Sequence, residues 1–535
     1  MKRQNKKHFG YIINLLIPAV LFGSVTGILT SIIILIYKVF ASHVIEFSEH
    51  GYEYLHSHAY TVPAVLILLF PVALLLSRIY KKTPHLSGGG IPMSIGALRG
   101  IIKVRWALNL VGVFLLSLLS FFIGVPLGTE GPSVQMGTAA GMGSIDVFSK
   151  KHKAWKRYSM TGGACAGFSV ATGAPISGIL FSIEEAHQRI SPMILIVSAT
   201  SVMFSYITTE ILAPLLGVGT TLFSKMTLPK LSAADSWIPL LIGIIMGAFA
   251  VLFLNYYNSI NYFFNKKLKK IPHSVKIFFI FFSTVLLGIS SFDFVSTGHE
   301  LIISLFEKRL PLLFLLLILL VRSSLTLGAN TNGITGGVFI PILAIGAVLS
   351  AVLAFGIENI FGVSGEYYEI ILVLGITACI SGMMKMPLTA IAFSVEALFG
   401  FENIIYIIIA SVVAFIMTEV FDAKSITDRV LDNKIEEQNH GVKLKVIDTH
   451  VIVQENSFAV GKQIRDIFWP ANLFVLSVKN KEAENAEIDE HGGKALRAND
   501  TLHVRYCTTN EASTKDELIA IVGEQDYSED ETKII

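Results

Sequence analysis

Pro175-Ile-Ser-Gly-Ile-Leu-Phe-Ser-Ile-Glu184 returns later in the chain as Pro387-Leu-Thr-Ala-Ile-Ala-Phe-Ser-Val-Glu396. The proline, the central isoleucine, the phenylalanine, the serine and the glutamate keep their places, and most other pairs are conservative. Upstream of each copy lies a Gly-x-x-x-Pro segment, Gly128-Thr-Glu-Gly-Pro132 in the first case and Gly337-Val-Phe-Ile-Pro341 in the second. Two related halves, each with a hydrophobic segment broken by glycine and proline at matching places, point to a binding site inside a membrane.

Composition agrees with a membrane setting. Only 15% of the 535 residues are charged and 53% are hydrophobic, whereas about a quarter of a soluble domain is charged. Residues 11–40 run almost without charge for longer than the roughly 20 residues that cross a hydrocarbon core. Comparable runs lie at 61–76, 106–124, 193–217, 237–256, 275–290, 311–320, 338–357 and 404–420. Lys2, Arg3, Lys6 and Lys7 precede the first run, which is too long for a signal-peptide core and lacks a small-residue cleavage site. The positive-inside tendency then puts the N-terminus in the cytoplasm, with the basic clusters at 150–157 and 266–270 on the same side. Cys165, Cys379 and Cys507 are too scattered for a disulfide framework or a zinc site. No metal and no cofactor is expected. The net charge of +2 and the lack of basic, aromatic-interleaved stretches give no reason to expect nucleic acid.

The composition changes once. Residues 1–431 form the membrane part, in halves of about 10–217 and 236–431; 432–441 reads as a linker. From 442 to 523, β-branched runs at 442–453, 474–478 and 501–506 predict strands, and 515–523 predicts a helix, which makes a small α+β domain. Residues 524–535 read as a loose tail.

An anion inside a membrane must replace its water shell, and full positive charges would hold it too tightly to release. Helix N-termini offer unpaired N–H groups and a partial positive charge instead. Glycine lets the backbone approach the ion, and proline is tolerated in the first turn. Gly88-Gly-Gly-Ile-Pro92, 128–132 and 337–341 each read as a loop entering a helix in this way.

These three segments resemble the signature motifs GSGIP, GREGP and GGxFxP of the CLC family of chloride channels and proton-coupled chloride exchangers. Here they stand as Gly-Gly-Gly-Ile-Pro (88–92), Gly-Thr-Glu-Gly-Pro (128–132) and Gly-Gly-Val-Phe-Ile-Pro (336–341). The resemblance covers about residues 10–430. It implies an α-helical polytopic membrane protein of two antiparallel repeats with many tilted and discontinuous helices. It further implies a homodimer in the cell membrane with one pathway per subunit, carrying chloride and other small anions. Its anion-binding positions would be Gly89, Gly90, Ile91, Thr129, Gly131, Gly337, Val338, Phe339, Ile340 and Thr427.

Glu130 is an acid among glycines in a membrane segment, expensive to keep unless it works or is paired. Beside a helix start, its carboxylate would occupy an anion site when charged and withdraw when protonated. The resemblance makes it the gate and outer proton carrier. Glu184 repeats as Glu396, which suggests a structural role shared by both halves. Glu185 is matched by Ala397 and is the asymmetric acid; it falls where family exchangers carry an internal proton-transfer glutamate. Two departures stand out: Gly89 replaces the motif serine, and Thr427 aligns with a tyrosine whose hydroxyl serves the central site. The backbone N–H groups of Val338 and Phe339 would then carry more of the anion's coordination.

The tail resembles the C-terminal lobe of RCK (TrkA-C) regulatory domains through 460–466, 469–475 and 499–504. Such lobes pair, and several bind cyclic di-AMP; Ala471, Asn472, Leu473 and Phe474 are the candidate contacts. This places the C-terminus in the cytoplasm. A potassium filter of the TVGYG kind is absent from the sequence, as are HExxH and GxSxG, so a transporter of anions and protons is favoured over an enzyme. A passive gated chloride channel is the alternative.

Overall fold

The computed structural model describes residues 2–223, 227–439, 445–480, 492–493, 495–508, 510–524 and 531–534. Nine of the described helices are long and apolar enough to cross a membrane, from Leu16–Ser57 at the N-terminal end to Phe401–Val420. Their outward faces expose large aliphatic side chains such as Leu68, Leu215, Leu252 and Leu313, as lipid contact requires. Lipid tails give helices no hydrophobic reason to associate, so packing and internal hydrogen bonds must hold them together. Buried Tyr37–Ser117 (2.8 Å) and Ser31–Thr209 (2.9 Å) pairs are of this kind. Small residues do the rest. A Cβ on Gly137 would stand 2.1 Å from the carbonyl oxygen of Gly163, and one on Gly163 2.0 Å from that of Gly137. Helices Glu130–Phe148 and Lys156–Thr172 therefore run in backbone contact.

The repeated segments explain how the halves are joined. Helices Pro175–Phe181 and Pro387–Glu396 are too short to cross a bilayer at about 1.5 Å per residue. The Glu396 carboxylate accepts from the N–H groups of Ile176 (2.8 Å) and Ser177 (2.9 Å). In return, Glu184 accepts from the N–H groups of Leu388 (2.9 Å) and Thr389 (2.7 Å). Each half thus supplies the carboxylate that satisfies the open helix start of the other, where the free N–H groups and the helix dipole both favour negative charge.

The C-terminal domain is a four-stranded antiparallel sheet of β1 (Lys445–Ile452), β2 (Leu473–Lys479), β3 (Thr501–Thr508) and β4 (Glu531–Ile534) in the order β2-β3-β1-β4. Helix Glu511–Val522 covers it, begun by Asn510, whose side chain accepts from Ser513 N–H (3.2 Å). Ile447, Val451, Val504, Tyr506, Leu518 and Val522 form its core. Of the stretch read as a linker, 432–439 continue helix Ile426–Asn439, while 440–444 lie outside the described residues. Within the tail read as loose, Glu531–Ile534 pairs with Lys445–Asp448 as the fourth strand.

Removing either reciprocal cap leaves two helix-start N–H groups in the membrane part without a charged acceptor, a loss of about 1–3 kcal/mol. Glu184→Ala and Glu396→Ala are each expected to lower the thermal midpoint of the purified protein by similar amounts. A drop for one and none for the other would show that the halves are not joined symmetrically.

Candidate functional site

Three helix starts meet at one point. Gly128 and Gly337, the leading glycines of the two repeated motifs, exchange backbone hydrogen bonds of 2.6 and 2.7 Å. A Cβ on Gly131 would lie 2.6 Å from both the Gly337 Cα and the Gly89 carbonyl oxygen, and one on Gly90 would lie 2.2 Å from the Gly131 carbonyl. Gly90 also has φ 71°, a left-handed backbone that favours glycine. No side chain fits at this junction. Helices Ile91–Leu98, Glu130–Phe148 and Phe339–Phe361 all begin here, and their first turns direct N–H groups into it. The N–H groups of Ile91 and Gly337 are taken within the junction itself, by Gly89 O (2.7 Å) and Gly128 O. Those two therefore shape the site rather than offer donors to it. Val338 caps the third helix, Phe339 opens it, and Ile340 and Pro341 follow in its first turn.

Glu130 is fully buried at the first position of its helix. Its Oε1 accepts from the Thr129 hydroxyl (2.9 Å), while Oε2 meets no donor at full hydrogen-bonding geometry among the described residues. The backbone N–H groups of Glu130 and Ile340 and the His299 ring lie near enough to act on the carboxylate. Oε2 stands 2.7 Å from where a Cβ of Gly128 would be, so the acid is folded back over the glycine junction. Thr129 occupies the place of the motif arginine. Two basic side chains that sequence reasoning passed over reach this neighbourhood. Lys38 donates to Gly219 O (2.9 Å), near enough to Glu130 to feel its charge; His299 bonds Leu222 O (2.7 Å). A lone lysine in the long apolar first helix was the signal available for Lys38.

Glu185 lies in a π-turn, Ser182–Ala186, directly after helix Pro175–Phe181. It is buried, and its Oε1 lacks a partner at full geometry, as does the hydroxyl of buried Thr427. These two groups face one another closely enough to interact. Further along helix 426–439, Lys434 is the residue that reaches Ser87 (3.3 Å) and the Gly88 position. Thr427, expected at the anion site, lies beside the second acid. Arg99 holds this end in place by donating to the carbonyls of Glu185 and Ala186 (both 3.2 Å), with Asp428 3.8 Å away.

The C-terminal domain plugs into the same region. Phe468 packs on the rings of Tyr158 (4.3 Å between centroids) and His187 (4.6 Å), with the guanidinium groups of Arg189 (4.9 Å) and Arg157 (5.3 Å) over its face. Arg157 also donates to Leu98 O (2.8 Å), at the end of helix 91–98, and to Trp469 O (2.5 Å). One side chain thus ties the soluble domain to the helix whose other end borders the glycine junction. Beside it, Glu517 faces Arg157, Lys103 and Lys156, and burial raises its carboxyl pKa against their pull. Of the cyclic dinucleotide candidates, Asn472 and Phe474 are exposed. Leu473 is buried in the domain core, and Ala471 lies against the membrane part at Gly100.

Residues 69–419 match the family model described as voltage gated chloride channel. The chain belongs to this family. Among curated relatives, the H(+)/Cl(-) exchange transporter ClcA of Salmonella arizonae is 26% identical over 445 residues, covering 78% of this chain and 89% of the relative. Its counterpart in Salmonella schwarzengrund is 27% identical over 448 residues, with 79% and 90% covered. A slow cyanobacterial Cl-/H+ antiporter superposes with a TM-score of 0.71 at 22% identity, over 79% of this chain and 99% of the other. A CLC-type fluoride/proton antiporter gives 0.60 at 19% identity, over 76% and 96%. The C-terminal domain lies outside the family match.

The junction sets a sharp test of packing. Gly131→Ala, which drives a methyl into backbone on two sides, is expected to abolish recovery of folded protein. Gly356→Ala, where nothing lies within 4 Å, should be neutral or stabilising by up to about 1 kcal/mol. Size-exclusion profiles of the two variants check this.

Proposed function

We propose that the protein exchanges chloride for protons across the cell membrane as a homodimer, with Glu130 as gate and outer proton carrier and Glu185 as the inner proton-transfer group. The observation that carries this reading is the position of Glu130. A carboxylate folded over a junction of three helix starts occupies ground suited to a small anion, and its Oε2 is left without a full hydrogen bond. Protonation removes the charge that holds it there and frees the site. The ClcA relatives, named as H(+)/Cl(-) exchange transporters, support coupling to protons. Glu185 supports it independently, being a buried acid with no counterpart in the other half. Glu130→Gln is expected to abolish proton uptake into liposomes while chloride efflux continues, and Glu185→Gln should do the same. Chloride flux in the unsubstituted protein with no accompanying proton movement would make it a passive gated channel instead.

The same reading makes the cytosolic domain a regulator. Its Phe468 contacts His187, two residues beyond Glu185, and Arg157 links its backbone to helix 91–98. A cyclic dinucleotide such as cyclic di-AMP, held between paired domains by Asn472 and Phe474, would act through these contacts. Its effect is limited to its difference in affinity for two states, about 5- to 150-fold. Cyclic di-AMP is expected to bind the intact transporter and change its chloride flux. Asn472→Ala and Phe474→Ala should remove binding, whereas Phe468→Ala should keep binding and lose the change in flux. Binding untouched by the first two substitutions would move the ligand site elsewhere.

A further inference from the structure

Helix Leu312–Thr331 ends beside the glycine junction, where several polar side chains have partners; the hydroxyl of Thr331 lacks one, and Asn330 lacks one at both of its polar atoms. Thr326 donates to Pro126 O (3.0 Å), Asn332 to Gly328 O (2.8 Å) and Thr335 to Leu86 O (2.7 Å). Asn330 is buried to 4% exposure, yet neither its Oδ1 nor its Nδ2 has a hydrogen-bond partner among the described residues. An amide kept from water with donor and acceptor both idle is destabilising, so something else must use it. Its location says what. Nδ2 lies 3.0 Å from where a Cβ of Gly89 would stand, and that same point is 3.8 Å from Gly336 O. The amide is therefore directed at the meeting point of the first and third glycine motifs.

We infer that the side-chain amide of Asn330 is an anion ligand of this pathway, donating N–H to chloride from beside Gly89. This rests on the proposal that the glycine junction is the anion site. A neutral donor suits a site that must also let its ion go, because it stabilises the anion without the grip of a full charge. Gly89 has no side chain to give such a donor, and Asn330 fills the adjoining space from another helix. The two solutions compete for one space. A side chain at position 89 would begin 3.0 Å from Nδ2, so the amide would have to give way to it. Turning the amide about its last bond brings the NH2 edge to the ion and leaves Oδ1 pointing away.

Titration calorimetry of chloride into the full-length protein, exchanged into a large organic anion, tests this directly. Asn330→Leu is expected to weaken binding by about 10- to 100-fold, the usual consequence of losing a hydrogen bond to a charged group. Asn330→Asp, which keeps the shape but sets a carboxylate against the ion, should lose binding at neutral pH. Asn330→Ala combined with Gly89→Ser should recover most of what Asn330→Ala loses, because the hydroxyl then has room. Wild-type affinity in Asn330→Leu or Asn330→Asp would overturn the inference. So would a folded double variant no better than Asn330→Ala. If the unsubstituted protein binds no chloride, the transport proposal itself fails, a result distinct from chloride binding that ignores Asn330.

Discussion

The pair of backbone hydrogen bonds between Gly128 and Gly337 is the constraint on which the membrane part depends. It fixes the two repeats against each other at a place where no side chain can stand. Gly131 and Gly90 pack into the same junction because any Cβ there would overlap backbone. Once those chains are in contact, three helices must start together, and their unbonded N–H groups share one small volume. Ground suited to a small anion is then a consequence of packing geometry.

The two acids occupy different relations to this junction. Glu130 belongs to the repeated Gly-x-x-x-Pro segment, yet residue 339 at the matching place is phenylalanine, so only one half carries an acid there. Glu184 and Glu396 are true counterparts, each spent on the other half's helix start. Glu185 departs from the symmetry again. A duplicated scaffold thus supplies the frame, and the two buried acids at which the duplication breaks are the ones to which the proposed exchange assigns its chemistry.

Much of this was legible in the sequence because glycine and proline act locally. A glycine run before a proline marks a helix start whatever surrounds it, and the repeat of 175–184 at 387–396 gave the two halves directly. Strands at 474–478 and 501–506 were legible from β-branched runs. What lay beyond reach depended on contacts between distant segments. Nothing in 432–441 shows that helix 426–439 continues through most of it. Likewise, the pairing of 531–534 depends on β1 some eighty residues earlier in the fold. That Thr427 lies beside Glu185 and that Lys434 reaches Gly88 were equally out of reach, because alignment to a motif fixes sequence order and not the contacts a helix makes. Asn330 left no signal at all: an asparagine near a helix end ordinarily reads as a cap, and only burial without a partner sets it apart.

The reciprocal caps also have a consequence in time. Synthesis runs from the N-terminus, so Glu184 enters the membrane long before Leu388 and Thr389 exist to receive it. Until the second half arrives, the first holds an acid at membrane depth with no acceptor duty to perform, and the start of helix 175–181 lies open. Insertion is therefore completed only when two segments about two hundred residues apart find each other within the bilayer. A chain halted midway, or cut between its halves, would be a substrate for membrane quality control.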